Sequence, residues 1–549
     1  MLNFEGIEEN LKFIVLETQT QVSATRDLLR NRSQIEYERI VSRDDYIDNL
    51  KNLIESSCFT RLASDRLLGK EEINEIRAVQ IICINLERIA DYSVNISRQM
   101  GYMDEAEFIH EFDFESVFPK ISEGISSIYT VLKDRNLAGA LTICRVEYAL
   151  DEWYKVSFDA IMDRLRGGQN IQNLITVLFI FRYLERIGDA LLNIGEALIL
   201  AIIGEKIKIH QFQALQETLS RSGFEGNLEE LDVHSILGSR SGCIINRLEQ
   251  RRSNWSQAQE SIFKEGNLQK IRREKANLEL WAEKYPGLTP KILGYYEEGD
   301  KGALLVQFLA GCTLDEVILN AAEEPLRNAF FILKQILEEV WRQTRQDGPM
   351  ATDYLNQIRA RLPQIHRVHE NFSRPAKYLG VTKVASSEEL LSACSEIESR
   401  LPAPFAVLIH GDFNVNNVVY NHELQRVHFI DLYRSRYADY VQDVSVFLIS
   451  NFRIPVFDEE LRSRLNWIIE KFYEFSSQLA LSWQDRTFNA RLALALSRSF
   501  YTSTRFELNK EFAREMYLRA HFLMEKVAGY GAAGGSWTDF VFPLSVLYY

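Results

Sequence analysis

The sequence predicts a multidomain chain: an all-α part made of tandem three-helix bundles, followed by an α+β part of two lobes. Three observations carry this prediction. At 549 residues the chain is too long for one compact core. Its texture changes near residue 233. Before that, residues 1–212 hold a single proline, Pro119, and repeat apolar residues at helical spacing; after it, glycine, proline and short β-type runs become frequent. Finally, one signature in the first part occurs twice.

In the first part the periodicity places helices near 5–30, 34–66, 71–100, 113–134, 137–165 and 169–203. Ile73, Ile76, Val79, Leu86 and Ile89 mark one apolar face. Gly69, Gly101, Gly167 and Gly168 stand where helices should end. The domain limits that follow are 1–212, with repeats of about 1–102 and 103–212, then a linker or connecting helix at 213–232, then 233–549. Within the last, β-runs are expected at 243–248, 261–264, 303–308, 406–410, 418–420 and 427–431, and long helical patterns run to the C-terminus. The lobes divide at about 312.

Composition narrows the function classes. A net charge of −14 argues against nucleic acid as a main partner, because phosphate binding wants basic faces. The six cysteines are scattered, with no C-x-x-C, which fits a reducing compartment. The first residues carry acids where a signal peptide needs basic and then apolar residues. The longest apolar stretch, 190–204, contains Glu196 and is too short to span a bilayer. The expectation is a cytoplasmic protein without a transmembrane segment.

The duplicated signature is NLERIADYSVNI (85–96) and YLERIGDALLNIGE (183–196). An earlier pair also matches: Asp44 and Asp48 in the second helix of the first repeat, Glu147 and Asp151 in the second helix of the second. Asp48 to Asp151 is 103 residues and Asp91 to Asp189 is 98, so the half is a tandem duplication. Carboxylates four apart share one helix face. Asp44, Asp48, Glu87 and Asp91 therefore form one candidate cluster, and Glu147, Asp151, Glu185 and Asp189 a second. Each is read either as oxygen ligands for a cation or as an acidic face partnering Arg88 and Arg186.

These paired signatures resemble the PhoU family of phosphate-uptake regulators, over about residues 1–212. The resemblance implies iron or zinc at the two carboxylate sets, as in some members. It also implies partners among phosphate-transport and sensor-kinase proteins. A homodimer is a further expected assembly.

In the second part, HGDFNVNN (410–417) lies between two β-runs, and HFIDL places Asp431 fourteen residues after Asn417. Phosphoryl transfer needs a base for the attacking hydroxyl and oxygen ligands for the magnesium on ATP. Asp412 suits the first task, Asn417 and Asp431 the second. Upstream, Lys264 closes a β-run and Glu274 opens a helical pattern, an order that suits a phosphate-contacting lysine and its partner. Gly238, Ser239, Ser241 and Gly242 form a turn whose amides are expected over phosphates. ALLVQFLAG (303–311), with Gln307 and Phe308, reads as the strand and hinge that meet adenine.

These motifs resemble the aminoglycoside phosphotransferase family, the choline-kinase-like small-molecule kinases, over about residues 233–530. The resemblance implies a protein-kinase-like two-lobed fold that uses ATP and Mg2+. Asp412 is then the base, Asn417 and Asp431 the metal ligands, His410 a support for the loop, and Asp439 and Asp443 its braces. Only eleven residues separate Asp431 from Asp443, too few for the activation segment of a protein kinase. The expected acceptor is a small hydroxylated molecule, in a pocket formed by about 322–400 and 457–528. The rival reading is an adaptor of phosphate signalling that uses the kinase fold to sense ATP. Antibiotic resistance rests on family analogy alone.

Overall fold

The computed structural model describes residues 6–64, 68–204, 208–221, 231–235, 244–250 and 260–548. By its contacts the chain forms two compact units, Met1–Gly266 with Gly294–Leu305, and Asn267–Leu293 with Val306–Tyr549. Among the described residues no helix is long and apolar enough to cross a membrane.

The first unit is led by six long helices: α1 (Ile7–Arg30), α2 (Gln34–Ser64), α3 (Lys70–Met100), α4 (Phe118–Lys133), α5 (Leu137–Arg166) and α6 (Ile171–Ile203). They fall where the periodicity puts them, with one difference. The fourth starts five residues later than expected, because residues 115–117 form a 3-10 turn first. Pro119 stands in the first turn of α4, where its missing N–H leaves no bond unmade. Asn136 caps α5 by accepting from the Gly139 N–H at 3.0 Å. The apolar stripes meet in a core that holds Ile82, Leu86 and Ile89 of α3 with Leu184, Ile187 and Leu191 of α6.

A short helix, α7 (Ile209–Arg221), occupies the first part of the expected connection; residues 222–230 lie outside the described set. Then come β1 (Leu231–Ser235), β2 (Ile244–Gln250), β3 (Ser261–Asn267), α8 (Leu268–Lys284), β4 (Ile292–Glu298) and β5 (Lys301–Gln307). The strands form one sheet in the order β1-β2-β3-β5-β4. β2 and β3 pair antiparallel with Ile245 opposite Lys264.

The second unit continues with β6 (Cys312–Thr313), α9 (Leu314–Asn320), α10 (Glu323–Gln343), β7 (Gln346–Met350), α11 (Tyr354–Val368), β8 (Lys377–Leu379), β9 (Thr382–Val384), α12 (Ser387–Ser399) and β10 (Ala403–Ile409). A hairpin of β11 (Val418–Asn421) and β12 (Arg426–Phe429) follows, then β13 (Arg436–Ala438) and four helices, α13 (Val441–Phe452), α14 (Glu459–Ser482), α15 (Phe488–Ser503) and α16 (Lys510–Ala532). Two small sheets, β13-β10-β7 and β12-β11-β6, frame the loop that leaves β10 and enters β11. The expected run to residue 431 ends at Phe429, and Asp431 instead takes a left-handed conformation, with φ +63°.

Every residue of α13 is buried, and so is almost all of α15. On α15 Arg491, wholly buried, pairs with Asp439 and Asp485. Tyr354 donates to Asp439 at 3.0 Å and Tyr440 to Asp485 at 2.8 Å. Two carboxylates on one guanidinium, with both phenols donating inward, make burial of the charges tolerable.

Two glycines of α6 set the approach of α5. At Gly195 a Cβ would collide with Cys144 Sγ and lie 3.0 Å from the Ala140 carbonyl; at Gly188 it would lie 3.2 Å from Leu150 Cβ. We expect Gly195→Val to destabilise the helical unit by about 1–3 kcal/mol, the ordinary cost of overpacking a close helix crossing. Thermal unfolding followed by helical circular dichroism measures it. An unchanged transition would mean that α5 and α6 do not approach this closely.

Candidate functional site

The loop between β10 and β11 is fixed at its start by backbone bonds to one side chain. Asp443, fully buried on α13, accepts from the His410 N–H at 2.7 Å and the Gly411 N–H at 2.8 Å. Gly411 has φ +82°, and a Cβ there would strike the Arg434 carbonyl oxygen, so only glycine fits. Gln442 donates to the Gly411 carbonyl at 3.0 Å. His410 is buried, and its Nε2 lies 2.9 Å from the Ile430 carbonyl; burial lowers its pKa, so the ring stays neutral.

The three central residues come together. Asn417 donates from its side-chain amide to the Asp412 carbonyl at 2.8 Å. The Ile430 N–H donates to the Asn417 carbonyl at 3.0 Å, which sets Asp431 beside the loop. Asp412 Oδ1 accepts from Asn414 Nδ2 at 2.9 Å, and its Oδ2 pairs with Arg434 Nη1 at 3.1 Å. With its NH2 committed to Asp412, Asn417 keeps a carbonyl oxygen as a ligand atom. An amide and a carboxylate oxygen form a donor set that fits magnesium. The turn after Asp431 is anchored from α8: Asn277 donates to the Leu432 carbonyl at 2.7 Å, and Trp281 to Ser435 Oγ at 2.7 Å.

Lys264 lies on β3 and Glu274 on α8, 8% and 4% exposed, an unusual depth for charges that requires partners. Gln307 ends β5 and Phe308 follows it, and the Gln307 N–H donates to the Lys291 carbonyl at 2.9 Å. Gly238, Ser239, Ser241 and Gly242 lie outside the described residues.

In the helical unit the carboxylates of each set are close enough to repel. Burial, then Asp91 and Asp48, push Asp44 up to about 6. Burial raises Glu87 even though Lys51 lies 3.1 Å away, and burial and then Asp48 raise Asp91. In the second set burial raises Glu147, with Asp151, Asp189 and Glu185 adding to it. Burial also raises Glu185, with Asp189 the next cause. Glu147 Oε2 and Glu185 Oε2 are buried without a hydrogen-bond partner. Yet among the described residues no three ligating side chains converge as a metal-binding group. The outer oxygens turn instead to bases: Lys155 to Asp151 at 2.7 Å, Arg182 to Glu185 at 2.8 Å, Arg186 to Asp189 at 3.0 Å. Arg186 is thus an acid partner, as one reading of the sequence held. Arg88 instead lines a cavity of about 220 Å³ with Asn85, Asn193 and Glu196.

Sequence reasoning passed over Arg434, Arg498 and Arg505. Arg434 follows Asp431 by three residues, and that proximity was the available signal. Arg498 and Arg505 lie far along the chain on and just after α15 and carry no motif. His366 and His369, three residues apart, are structural: His369 is buried with Nε2 at 3.0 Å from the Thr504 carbonyl, and His366 Nε2 lies 3.2 Å from the Phe372 carbonyl.

Comparison with known proteins gives two regions of likeness. Residues 15–100 and 117–198 each match the PhoU domain, and residues 323–480 match the ecdysteroid kinase-like family. A phosphate-specific transport system accessory protein PhoU homologue from Clostridium acetobutylicum is 26% identical over 193 residues, 35% of this chain and 88% of that one. Crystalline PhoU from Pseudomonas aeruginosa is 19% identical, with a TM-score of 0.34, over 37% of this chain and 97% of the other. An aminoglycoside phosphotransferase from Streptomyces rimosus is 15% identical, with a TM-score of 0.30, over 57% and 98%. The ecdysteroid kinase-like match runs from α10 into α14 and spans Asp412, Asn417 and Asp431. The chain is a fusion of two PhoU domains with a C-terminal kinase-like region of the ecdysteroid kinase-like type.

Proposed function

We propose that the chain is an ATP-dependent phosphotransferase acting on a hydroxyl of a small molecule, joined to a PhoU-type region that reports phosphate status or metal. The observation that carries this reading is the bonded set Asp412–Asn417–Ile430, which keeps a carboxylate, an amide oxygen and a second carboxylate around one loop. Asn417 and Asp431 would hold the magnesium of Mg-ATP, which supplies the phosphoryl group and offsets its charge. Asp412 orients the acceptor hydroxyl and takes its proton on a carboxylate oxygen. Asn414 and Arg434 fix the rotamer of that carboxylate. Lys264, Glu274, Gln307, Phe308, Gly238, Ser239, Ser241 and Gly242 are assigned to the nucleotide.

The test is turnover with purified protein, magnesium and a panel of hydroxylated metabolites. Asp412→Asn keeps shape and removes the proton acceptor, so turnover should fall on the order of a hundredfold or more with ATP binding nearly intact. Undiminished turnover sinks the assignment. Asp431→Ala should abolish the magnesium dependence of nucleotide binding. If wild type already binds ATP equally with and without magnesium, the ligand roles fall.

For the PhoU-type region we propose cation binding at the two carboxylate sets, iron and zinc being the first cations to try. The sets fit in charge and donor type, and binding would require side chains to turn from Lys51, Lys155, Arg182 and Arg186. A cation should raise the melting temperature of the full chain, and replacing Glu87 and Asp91 by alanine should shrink the rise. A melting temperature indifferent to iron, zinc, manganese and magnesium would leave these carboxylates as partners of basic residues.

Without metal, Asp44 gives a pH signature. Its folded pKa of about 6 lies above the unfolded value of about 3.9, so its contribution is complete below pH ~4 and is lost as pH rises through 6. Asp44→Asn should therefore be more stable than wild type at pH 8, and no more stable at pH 4. Asp44 is half-buried, and solvent screening holds the gain to about 1 kcal/mol. Denaturant melts at the two pH values check the sign.

A further inference from the structure

Arginines from several elements stand within electrostatic reach of Asp412 or of one another: Asp412 acts on Arg434, Arg498 and Arg505, Arg436 acts on Arg498, and Arg361 and Arg453 act on Arg505. Arg434 and Arg436 follow Asp431, Arg498 is on α15, and Arg505 is in the 3-10 turn after it; Arg361 is on α11, and Arg453 follows α13. Arg434 and Arg436 lie just past the HFIDL motif, and the others come from elsewhere in the chain. Arg434 is paired with Asp412. Arg361, Arg436, Arg498 and Arg505 form no ion pair with a carboxylate of the described residues and rest on neutral groups. Arg436 donates to Gln442 Oε1 at 3.1 Å, Arg498 to Ser445 Oγ at 3.4 Å, Arg361 to Gln364 Oε1 at 3.5 Å, and Arg505 to the Thr502 carbonyl. Arg498 is 9% exposed, and its Nε has no hydrogen-bond partner.

The cost of this arrangement is visible at Arg505. Its guanidinium lies 4.1 Å from the Phe506 ring centroid. Burial, followed by the charges of Arg361, Arg434 and Arg453, pushes it down to about 10, with Asp412 acting the other way. Arg498 feels Asp412 as well, opposed by burial and by Arg434 and Arg436. Of the other carboxylates near the loop, Asp439 goes to Arg491, Asp443 to two backbone N–H groups, and Asp431, which acts on Arg434, is the one assigned to magnesium. Clustered guanidinium groups with too little counter-charge make a site for an anion, and their planar forks match carboxylate and phosphate oxygens. The nucleotide brings its own magnesium. Arg361, Arg498 and Arg505 stand on the helical elements from which an acceptor pocket is expected.

We propose that the acceptor site beside Asp412 takes an anionic acceptor, a hydroxylated small molecule bearing a phosphate or carboxylate group, held by Arg505, Arg498 and Arg434. This rests on the phosphotransferase reading for the word acceptor, but the anion site itself does not.

The test uses the full chain, saturated with magnesium and a non-hydrolysable ATP analogue. The probes are glucose, glucose 6-phosphate, glucuronate and glucosamine, which share a hydroxylated ring and differ in charge, with sulfate as a bare anion. Calorimetry should show one or both anionic sugars binding roughly tenfold or more tighter than glucose. Arg505→Ala, a change at a half-exposed turn, should remove that preference, and Arg505→Lys should keep part of it. Preference for the phosphate or for the carboxylate names the group recognised. Anionic sugars that bind no tighter than glucose, a preference that survives Arg505→Ala, or no binding of any anion would each overturn the proposal. Turnover confined to neutral or cationic sugars would overturn it and leave the phosphotransferase reading standing. Anion binding through Arg505, with ADP release from Mg-ATP no faster than in Asp412→Asn, would do the reverse.

Discussion

Asp443 has no exposed surface, and both of its oxygens are taken by the backbone of the loop it faces. Burial pushes its pKa up to about 7, against the pull of the two N–H donors, so the protein gives up carboxylate solvation to hold those two amides. What it gains is position. α13 is buried along its whole length, so its carboxylate is a fixed point. His410 and Gly411 are tied to it, and Gly411 takes a conformation open to glycine alone, against the Arg434 carbonyl. Asp412 then has only side-chain freedom, and Asn414 and Arg434 use most of that. Preorganisation of this kind spares a site the ordering cost when a ligand arrives.

Much of this was legible in the sequence because local patterns carried it. Six long helices follow from apolar spacing, and the duplication follows from two copies of one signature. The loop 410–417 stood out because Asp412, Asn417 and Asp431 are close in sequence, so a hairpin suffices to join them. Other features needed tertiary structure. Asp431 leaves the strand two residues early, since the turn it enters is anchored by Asn277 and Trp281, more than 150 residues upstream. Asp439 reads as a brace for the loop, but its Oδ2 goes to Arg491 and Tyr354 and its Oδ1 accepts from the Val441 N–H, so of the two aspartates Asp443 alone touches the loop. The carbonyls that His366 and His369 meet, at Phe372 and Thr504, cannot be foreseen from spacing.

The two PhoU repeats keep the same carboxylates but neutralise them differently. In the first set Lys51 on Glu87 is the described ion pair, and Asp44 is pushed furthest. In the second, Lys155, Arg182 and Arg186 stand against Asp151, Glu185 and Asp189. After a duplication the copies are free to diverge. Added bases stabilise a metal-free second set, while the first keeps more unbalanced negative charge. By electrostatics alone the first set has more to gain from a cation, and it asks fewer ion pairs to break.

The chain as a whole carries −14, a net charge that by itself disfavours an anionic ligand. Distance decides otherwise. At physiological ionic strength the screening length is about 8 Å, so most of the protein's acids are muted at any one site. Of the guanidinium groups near Asp412, Arg498 is buried and Arg505 partly so, and there screening is weakest. Their field is therefore the one a ligand feels on contact, and net charge acts mainly on the rate of approach. Such a site should bind anions tightly for its surroundings while capturing them without long-range steering. A composition-level reading sees only the second of these effects, which is why the excess of acid in the sequence says so little about the pocket.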